Sequence, residues 1–290
     1  MSIDFTGVSA ITTPEGSVIK ITRKNDGVTL WEKVLLPAVD TLNNTTWEDI
    51  KTISDAGQAA NYWAIGDRKA VTLNGTVGSV AFSNNTYYCY IIGFDHNSSV
   101  EGTNRIHFQF GYTALTGGVH IAFIDSRYGY KETSGSRFNI NNSDTSAGGW
   151  NGSSMRNNIC TAFKNALPSD LRTILNTVTK YSDNTGGGQN TASYVTSTSE
   201  EIFLLAEYEL FGVRTNANSA EQNYQQQYAY YSIGNSKKRY RHSSTSSAAI
   251  WWLRSTRANA NGYFCCSNTG GTTHNDAASR SYGFSPAFCV

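Results

Sequence analysis

The last forty residues of the chain constrain its fold more than any other segment. Three short apolar blocks, at residues 250–253, 263–266 and 284–290, have the length and composition of β-strands. The stretches between them contain almost only small polar residues, arginine and histidine, so they have little surface to bury and predict exposed loops. We therefore expect a β core that carries polar loops, an arrangement on which proteins build binding surfaces.

The charge balance of the 290 residues argues against a nucleic-acid partner. The chain has 23 Lys and Arg against 22 Asp and Glu, a formal net charge of +1, and 16% of its residues are charged. Its basic run at residues 237–242 is typical of a solvated surface turn rather than of a phosphate-binding patch. The length and the low charge favour one large, loop-rich domain, alone or with a small appendage.

Targeting signals and cysteines indicate where such a chain is made. The start of the sequence lacks the basic and apolar segments of a signal peptide, and no apolar stretch approaches the roughly 20 residues of a membrane-spanning helix. We therefore expect synthesis in the cytoplasm and no membrane insertion. The cysteines are odd in number and irregularly spaced, which favours buried free thiols over a metal site or disulfides. They are Cys89, Cys160, Cys265, Cys266 and Cys289.

Residues 1–36 have the pattern of a separate small β unit. Strands are predicted over residues 8–12, 17–22 and 28–31, and the last two are joined by Asp26-Gly27, a strong hairpin signal. So small a unit buries too little surface to be robust alone. We expect it to attach the protein or to mediate self-association, with a trimer favoured, and we assign residues 37–290 to the ligand-binding domain.

The middle of the chain mixes helical and strand-like patterns without regular alternation. Thr46 is the expected N-cap of a helix over residues 47–57, and Asn74-Gly75 predicts a tight turn. Further helices are predicted over residues 153–167, 170–180 and 219–231, and strands over residues 86–94, 106–110 and 119–124. Helices in the middle with strands on either side predict an α+β fold.

The nearest approach to a metal or acid–base set consists of Asp95, His96, His107, His120 and Asp125. His107 and His120 lie in apolar strands, and no pair of these residues has the i, i+2 or i, i+4 spacing of zinc motifs. We therefore interpret them as structural side chains and predict no metal and no cofactor.

Paired carboxylates are the other candidate for chemistry. Glu207 and Glu209 share a face if their segment is extended and diverge if it is helical. A pair of this kind serves as acid and base in glycoside hydrolysis. The alternative is a buried structural pair tied to Arg or Tyr partners, which we favour. The chain has no GxSxG motif, and the glycines at 186–188 lack the Lys-Ser/Thr of a phosphate loop.

Residues 251–255 (WWLRS), followed by Gly283 and Pro286-Ala287, resemble the C-terminal half of C-type-lectin-fold proteins of the formylglycine-generating-enzyme-like branch. Phe284 stands where these proteins usually have Val. Upstream, the similar segments are residues 47–67, 91–97, 138–156 and 166–172, so the resemblance covers about residues 46–290. The variant that is most similar is a domain common in gut Firmicutes and their phages. The resemblance implies a C-type-lectin-like fold.

Variable proteins of diversity-generating retroelements belong to this group, and in them adenines of a C-terminal cassette are randomised. The resemblance implies ligand-binding roles for ten residues whose types fit such positions: Arg257, Asn259, Asn261, Tyr263, Asn268, His274, Asn275, Asp276, Arg280 and Tyr282. The enzyme of the same branch uses cysteine and copper chemistry, and no cysteine pair here matches it. The resemblance therefore favours binding over catalysis.

The N-terminal sequence PEGSVIKIT is similar to the start of many phage tail and baseplate proteins. We therefore expect a receptor-binding protein of the phage tail, part of the virion, that contacts a bacterial surface protein or glycan and other tail proteins. Tyr263 and Tyr282 are expected to supply contact area. The rival is a tail enzyme that cleaves polysaccharide, with Glu207 and Glu209, or Asp95 and Asp125, as its carboxylates.

Overall fold

The computed structural model describes residues 18–22, 29–34, 36–126, 128 and 138–290, and only the backbone of the first two segments. Its strands are β1 Val18–Thr22, β2 Thr29–Val34, β3 Arg68–Val77, β4 Val80–Phe94, β5 Ile106–Tyr112, β6 Ile121–Ala122, β7 Val178–Asp183, β8 Val195–Glu200, β9 Ile202–Phe203, β10 Arg239–Arg241, β11 Ser244–Ala249, β12 Trp251–Thr256, β13 Tyr263–Ser267, β14 Thr273–Ala277 and β15 Ala287–Cys289.

The helices are short. They are α1 Trp47–Asp55, α2 Ala59–Tyr62, α3 Ser98–Glu101, α4 Gly149–Gly152, α5 Thr161–Ala166, α6 Ser169–Arg172, α7 Glu207–Phe211 and α8 Ala229–Ser232, with 3-10 turns at Leu42–Asn44, Ala192–Tyr194 and Ser219–Asn223 and a π-helical turn at Met155–Cys160. This mixture confirms the α+β prediction. None of the helices in the described part of the chain has both the length and the apolar character needed to cross a membrane.

Two sheets position the regions of interest. The larger sheet has the strand order β3-β4-β5-β15-β9, and the smaller one has the order β12-β13-β14. Pairing is antiparallel along both sheets. Strand β15 therefore lies between two strands that come from distant parts of the sequence.

The N-terminal unit forms the expected hairpin where it is described. Strand β1 pairs with β2, with Val18 opposite Val34. The predicted strand at residues 8–12 and the turn at Asp26-Gly27 lie outside the described residues. Beyond the hairpin, Leu36 and Val39 pack against the main core. The division of the chain at residue 36 stays a prediction.

Helix α1 begins as predicted. The backbone N–H of Asp49 donates to the Thr46 hydroxyl at 3.1 Å, and that hydroxyl donates to the Asp49 carboxylate at 2.7 Å. Trp47, Ile50 and Ile53 are buried on one face. Because a helix N-terminus leaves backbone N–H groups without helical partners, the reciprocal bonds of Thr46 and Asp49 fix where the helix starts.

Several predicted elements were wrong. Asn74 and Gly75 lie inside β3, and the turn is at residues 78–79 instead. Gly75 has a φ of 129° at an irregularity in the strand pairing, where a glycine bends a strand rather than ending it. The helix expected over residues 170–180 ends at Arg172, since the β-branched run after residue 176 pairs with β8.

Two further corrections concern segments that were expected to be continuous. Residues 219–231 form a 3-10 turn and helix α8 rather than one helix. The strand expected over residues 119–124 is limited to β6. In both segments, contacts with distant parts of the chain override the local pattern.

The smaller sheet is buried at β12. Trp251, Trp252 and Arg254 are each fully buried. The alternation of side chains along a strand predicted that the two tryptophans would lie on opposite faces of β12. Both tryptophans are buried, so protein covers both faces of this strand. The indole Nε1 of Trp252 donates to the Phe138 carbonyl at 2.9 Å, and that of Trp251 donates to the Lys237 carbonyl at 3.1 Å. All five cysteines are buried free thiols, which confirms that prediction.

Candidate functional site

The residues proposed to bind a ligand lie on and around an edge hairpin. Strands β13 and β14, here called the terminal hairpin (residues 263–277), pair with Tyr263 opposite Ala277 and Ser267 opposite Thr273. Strand β13 is mostly buried, whereas every β14 side chain is at least partly exposed. The prediction that residues 273–277 form a loop was wrong, because hydrogen bonds to β13 organise this polar segment as a strand.

One side of β14 carries a cluster of four predicted residues, here called the Asp276 cluster: His274, Asp276, Arg280 and Tyr282. Arg280 Nε donates to Asp276 Oδ1 at 3.3 Å, and the Tyr282 hydroxyl donates to Asp276 Oδ2. His274 Nε2 lies 4.0 Å from the same Oδ2. His274 is the most exposed of these side chains, at 47%. Charges of both signs therefore lie together at the surface.

Tyr282 supports this cluster and offers little contact area, so the expectation that its ring would face a ligand was wrong. It is only 8% exposed, and its ring packs on Trp252 at a centroid distance of 5.0 Å. Burial, and then the hydrogen bond to Asp276, raise the pKa of its hydroxyl. The sequence did not predict that Tyr282 is buried, because the residues before it are polar and are typical of an exposed loop.

The opposite side of β14 carries a second set of predicted residues. The Arg257 guanidinium lies over the Tyr263 ring at 5.5 Å, and Tyr263 is 36% exposed. Asn275 donates from Nδ2 to Asn216 Oδ1 at 2.8 Å. Asn216 in turn donates to Thr273 and to Glu207. Sequence reasoning missed Asn216, although it lies in a polar stretch that is similar in composition to the terminal one.

The remaining predicted residues lie at the two ends of the hairpin. Asn259 and Asn261 are exposed in the β12–β13 connection, where Asn259 has a φ of 69°. At the other end, Asn268 Oδ1 accepts from the N–H groups of Gly270 at 2.9 Å and Thr272 at 3.0 Å. Asn268 thus forms the β13–β14 turn. The ten predicted residues therefore occupy two sides and two ends of one hairpin, not a single patch.

Glu207 anchors the loop that underlies the hairpin. It is fully buried in the first turn of α7, and its Oε2 accepts from the N–H groups of Thr215, Asn216 and Ala217 at 3.0, 2.8 and 2.8 Å. Its Oε1 accepts from Asn216 and Thr273. With both oxygens occupied by fixed donors, the carboxylate acts as a structural acceptor.

Glu209 belongs to a different assembly, here called the Glu209 cluster: Glu101, Lys180, Glu209, Tyr228 and Arg254. All five are buried. Arg254 donates through both terminal nitrogens to Glu209, from Nη2 to Oε1 at 2.7 Å, and Lys180 Nζ lies 3.3 Å from Oε1. Burial favours the neutral acid, but the charges of Arg254 and Lys180 overcome it and hold the pKa of Glu209 below its usual range. For Glu209 this is the buried side chain tied to an arginine that we favoured over a catalytic pair, whereas the donors to Glu207 are backbone N–H groups, Asn216 and Thr273.

Among the described residues, His96, Glu101 and Glu209 form the group that could hold a metal, since their ligand atoms lie within 4.8 Å of one another. Lys180 Nζ lies 2.5 Å from Glu101 Oε2 and within hydrogen-bond distance of Glu209. An ammonium group therefore already supplies the positive charge that a cation would bring. Burial, followed by the charge of Lys180, lowers the pKa of His96 to about 3. This arrangement fits a structural cluster better than a metal centre.

The other histidines and aspartates also have structural partners. His107 Nδ1 lies 3.2 Å from the Tyr228 hydroxyl, and His120 Nε2 lies 3.0 Å from the Tyr230 hydroxyl. Asp95 accepts from the backbone N–H of Arg105 at 3.0 Å, and Asp125 is 1% exposed. These contacts agree with the interpretation of the set as structural.

Residues 123–290 match the family model of DUF6273, a domain of unknown function. The match covers more than half of the chain, so the chain belongs to this family. No curated protein and no solved structure matches the chain. The matched region includes the terminal hairpin and most of the Glu209 cluster, whereas β3, β4 and β5 precede it.

Proposed function

We propose that this protein recognises a ligand through the terminal hairpin and performs no chemistry there. The observation that carries the proposal is the contrast between the two strands of the hairpin. Buried β13 holds exposed β14 in place, and the polar side chains of β14 project on both of its sides. Arg and Tyr in an ordered frame, with adaptable polar neighbours, are typical of recognition surfaces.

The wider assignment follows the sequence resemblance. We propose a C-type-lectin-like fold and a role as a phage tail receptor-binding protein, in which residues 1–36 attach or trimerise the protein. In support, the segment WWLRS lies in the buried strand β12, and Pro286-Ala287 leads into β15, an internal strand of the larger sheet. Several weak sites on one particle would then reinforce one another.

The carboxylates of the rival hydrolase are engaged elsewhere. A glycosidase needs a proton donor and a second carboxylate that both face an open cleft. Glu207 is saturated by backbone and side-chain donors, and Glu209 is neutralised by Arg254. Asp95 and Asp125 carry no observation in favour of a catalytic role. We therefore propose binding rather than hydrolysis.

A cell-binding assay tests this proposal. Fluorescently labelled protein is added to a panel of gut Firmicutes isolates, and the double variant Arg257→Ala/Tyr263→Ala is compared with the parent on every strain that binds. We expect at least a roughly tenfold loss of affinity, because Arg and Tyr anchors dominate binding energies. Tyr224→Ala is the matched control, since Tyr224 is also an exposed tyrosine, at 40%, and packs on Tyr181 away from the hairpin.

The outcomes separate the alternatives. Parent-like binding by the double variant would place recognition outside this side of the hairpin, and the variant His274→Ala/Arg280→Ala would then test the Asp276 cluster. Loss of binding after periodate treatment of the cells would indicate a glycan, and loss after protease treatment would indicate a protein. Release of reducing sugar from purified cell-wall or capsular polysaccharide would favour the hydrolase.

The gene sequence and its neighbourhood test separately whether the C-terminal residues are diversified by a retroelement. We propose AAY-type codons at the exposed members of the predicted set and a reverse-transcriptase gene nearby. The structure narrows these positions, because randomising a buried side chain such as Tyr282 would destabilise the domain. Every Asn and His codon contains adenine, so the codons of Asn259, Asn261 and His274 cannot test the proposal by themselves. Absence of a reverse-transcriptase gene from the neighbourhood of this gene would contradict it.

A further inference from the structure

A second candidate binding site lies in a part of the chain that precedes the DUF6273 match. A cleft of about 560 Å³ opens between the turn at Leu42–Asn44, the end of α2 and residues 115–117. This volume is in the range of small-ligand sites, roughly 300–1,000 Å³. The cleft is independent of the terminal hairpin and is here called the aromatic cleft.

One wall of the aromatic cleft is formed by two adjacent rings. Tyr62 is 39% exposed, and its ring centroid lies 5.9 Å from that of Trp63 at an angle of 46°. Trp63 is buried apart from 4% of its surface, and its indole Nε1 has no hydrogen-bond partner among the described residues. A buried donor without a partner is uncommon.

Asp40, Asn43 and Asp67 also line the aromatic cleft and supply oxygen acceptors and one amide donor with fixed orientations. Asp67 Oδ2 accepts from the backbone N–H of Ala64 at 2.9 Å, and Asp40 Oδ2 accepts from Asn44 Nδ2 at 3.0 Å. Asn43 Oδ1 accepts from the N–H of Ala70 at 2.9 Å. Each of these bonds uses one atom of the side chain and fixes its orientation. The second carboxylate oxygens and the Asn43 amide nitrogen therefore remain available to a ligand within the described structure.

Arg68 lies at the rim of the aromatic cleft. Its guanidinium lies 3.3 Å from the centre of the Tyr112 ring, and its Nη1 donates to the carbonyls of Ala114, at 2.9 Å, and Gly117. The positive charge is thus committed to the cleft wall, while Asp40 and Asp67 contribute negative charge. With two carboxylates against one guanidinium in the lining, a neutral ligand is favoured over a phosphate or a carboxylate.

We infer that the aromatic cleft binds a neutral oligosaccharide. A sugar ring presents C–H groups on its faces, which pack against aromatic rings, and hydroxyl groups at its edge, which bond to carboxylate and amide side chains. An apolar ligand would leave Asp40, Asp67 and Asn43 without partners, which costs free energy when polar groups are buried. The walls therefore match an amphipathic polyol better than a hydrophobic or an anionic compound.

Purified trisaccharides test this inference with the full-length protein. Galactotriose, maltotriose and chitotriose are titrated by saturation-transfer NMR and tryptophan fluorescence, and trigalacturonate serves as the anionic counterpart of galactotriose. We expect at least one neutral trisaccharide to bind at least about tenfold more tightly than trigalacturonate. Absence of binding by all three neutral sugars, or equal binding of trigalacturonate, would overturn the inference.

Variants then locate the site. Tyr62→Ala removes the exposed ring and is expected to weaken binding at least about tenfold, while Asp67→Asn replaces a free acceptor oxygen by a donor and weakens it at least about threefold. Tyr224→Ala and Arg257→Ala/Tyr263→Ala should bind the sugar like the parent. Parent-like binding by Tyr62→Ala and Asp67→Asn would refute the cleft as the site. Thermal unfolding of each variant checks that the loss of binding does not come from a loss of folding.

Discussion

The Glu209 cluster and the Asp276 cluster contain similar residue types in contrasting environments. Each brings together an acid, an arginine and a tyrosine, and a histidine lies beside each acid. In the Glu209 cluster, Arg254 and Glu209 are almost completely buried and bonded through two nitrogens. In the Asp276 cluster, Arg280 and Asp276 are 23% and 20% exposed and meet at 3.3 Å.

We propose that burial, not residue type, separates structural from ligand-binding roles in this chain. Removing charges from water is costly, so a buried pair persists only if every group has a fixed partner, and those partners prevent it from engaging a ligand. A partly exposed pair keeps part of its hydration and can exchange water for a ligand at small cost. The predictions below test this difference, from the largest expected effect to the smallest.

The largest contrast is expected between two arginine truncations. Arg254→Ala leaves the Glu209 carboxylate buried beside one cation instead of two and should lower the free energy of unfolding by about 3–5 kcal/mol. Arg280→Ala should lower it by about 0–1 kcal/mol. Urea unfolding followed by circular dichroism measures both. Similar losses in the two variants would show that the Asp276 cluster is also structural.

The free energy of unfolding measured over a pH series shows whether a buried acid stabilises the fold in its neutral or in its charged form. Burial raises the pKa of Glu221 from 4.5 to about 7. The folded chain therefore holds this proton more tightly than the unfolded chain, so the stabilisation is complete below pH 4.5 and is lost as pH rises through about 7. Glu221→Gln should gain stability relative to the parent between pH 5 and pH 8, on the order of 1–3 kcal/mol.

The difference in stability between Glu221→Gln and the parent reports on Glu221, whereas the pH profile of the parent alone does not. Burial lowers the pKa of His96 from 6.5 to about 3, so that group contributes stability that is present above pH 6.5 and is lost as pH falls through about 3. The two contributions oppose each other in the parent, and subtracting the variant isolates Glu221. A constant difference between parent and Glu221→Gln across the series would disprove the assignment.

Removal of one hydroxyl tests whether Tyr282 supports the hairpin. Tyr282→Phe keeps the ring against Trp252 and removes the donor to Asp276, so it should cost about 1–2 kcal/mol of stability. Tyr263→Phe is the matched control on the exposed side and should change the melting temperature little. If Tyr282→Phe is neutral, its hydroxyl is available to a ligand after all.

Two asparagines of the terminal hairpin allow a comparison between a structural and an exposed side chain of the same residue type. Asn268→Ala removes the acceptor of two turn N–H groups and should cost about 0.5–1.5 kcal/mol. Asn261→Ala, at an exposed position, should cost less than about 0.5 kcal/mol. Thermal unfolding compares the two variants. Equal tolerance would mean that the turn does not depend on the Asn268 side chain.

The smallest expected effect on the main domain is that of the N-terminal truncation. Deletion of residues 1–36 should leave the main domain folded, with a far-UV spectrum and melting temperature close to those of the parent. If residues 1–36 mediate self-association as we propose, light scattering should show a larger particle for the parent than for the truncated chain. Unfolding of the truncated chain would show that the hairpin of β1 and β2 belongs to the main core.

Local signals predicted part of this structure and long-range contacts decided the rest. The Thr46 cap and the apolar character around the cysteines were sufficient for α1 and for the free thiols. Strand β14 was missed because its residues are polar, and only its pairing with β13 makes it a strand. The partners of Arg254, namely Glu209 and Ser182, come from 45 and 72 positions earlier in the chain, and no periodicity links them.

The placement of β15 has a consequence for the order of folding. Ala287 pairs with Gln109 of β5 and with Phe203 of β9, so the larger sheet gains this internal strand only after the residues up to β15 have been synthesised. Pairings across such long sequence separations close slowly, and the unpaired edges of β5 and β9 are open to aggregation in the meantime. Pulsed hydrogen exchange during refolding should show amide protection arising together in β5 and β15. A fragment that begins at residue 123 would lack β5 and leave β15 without one of its two partners.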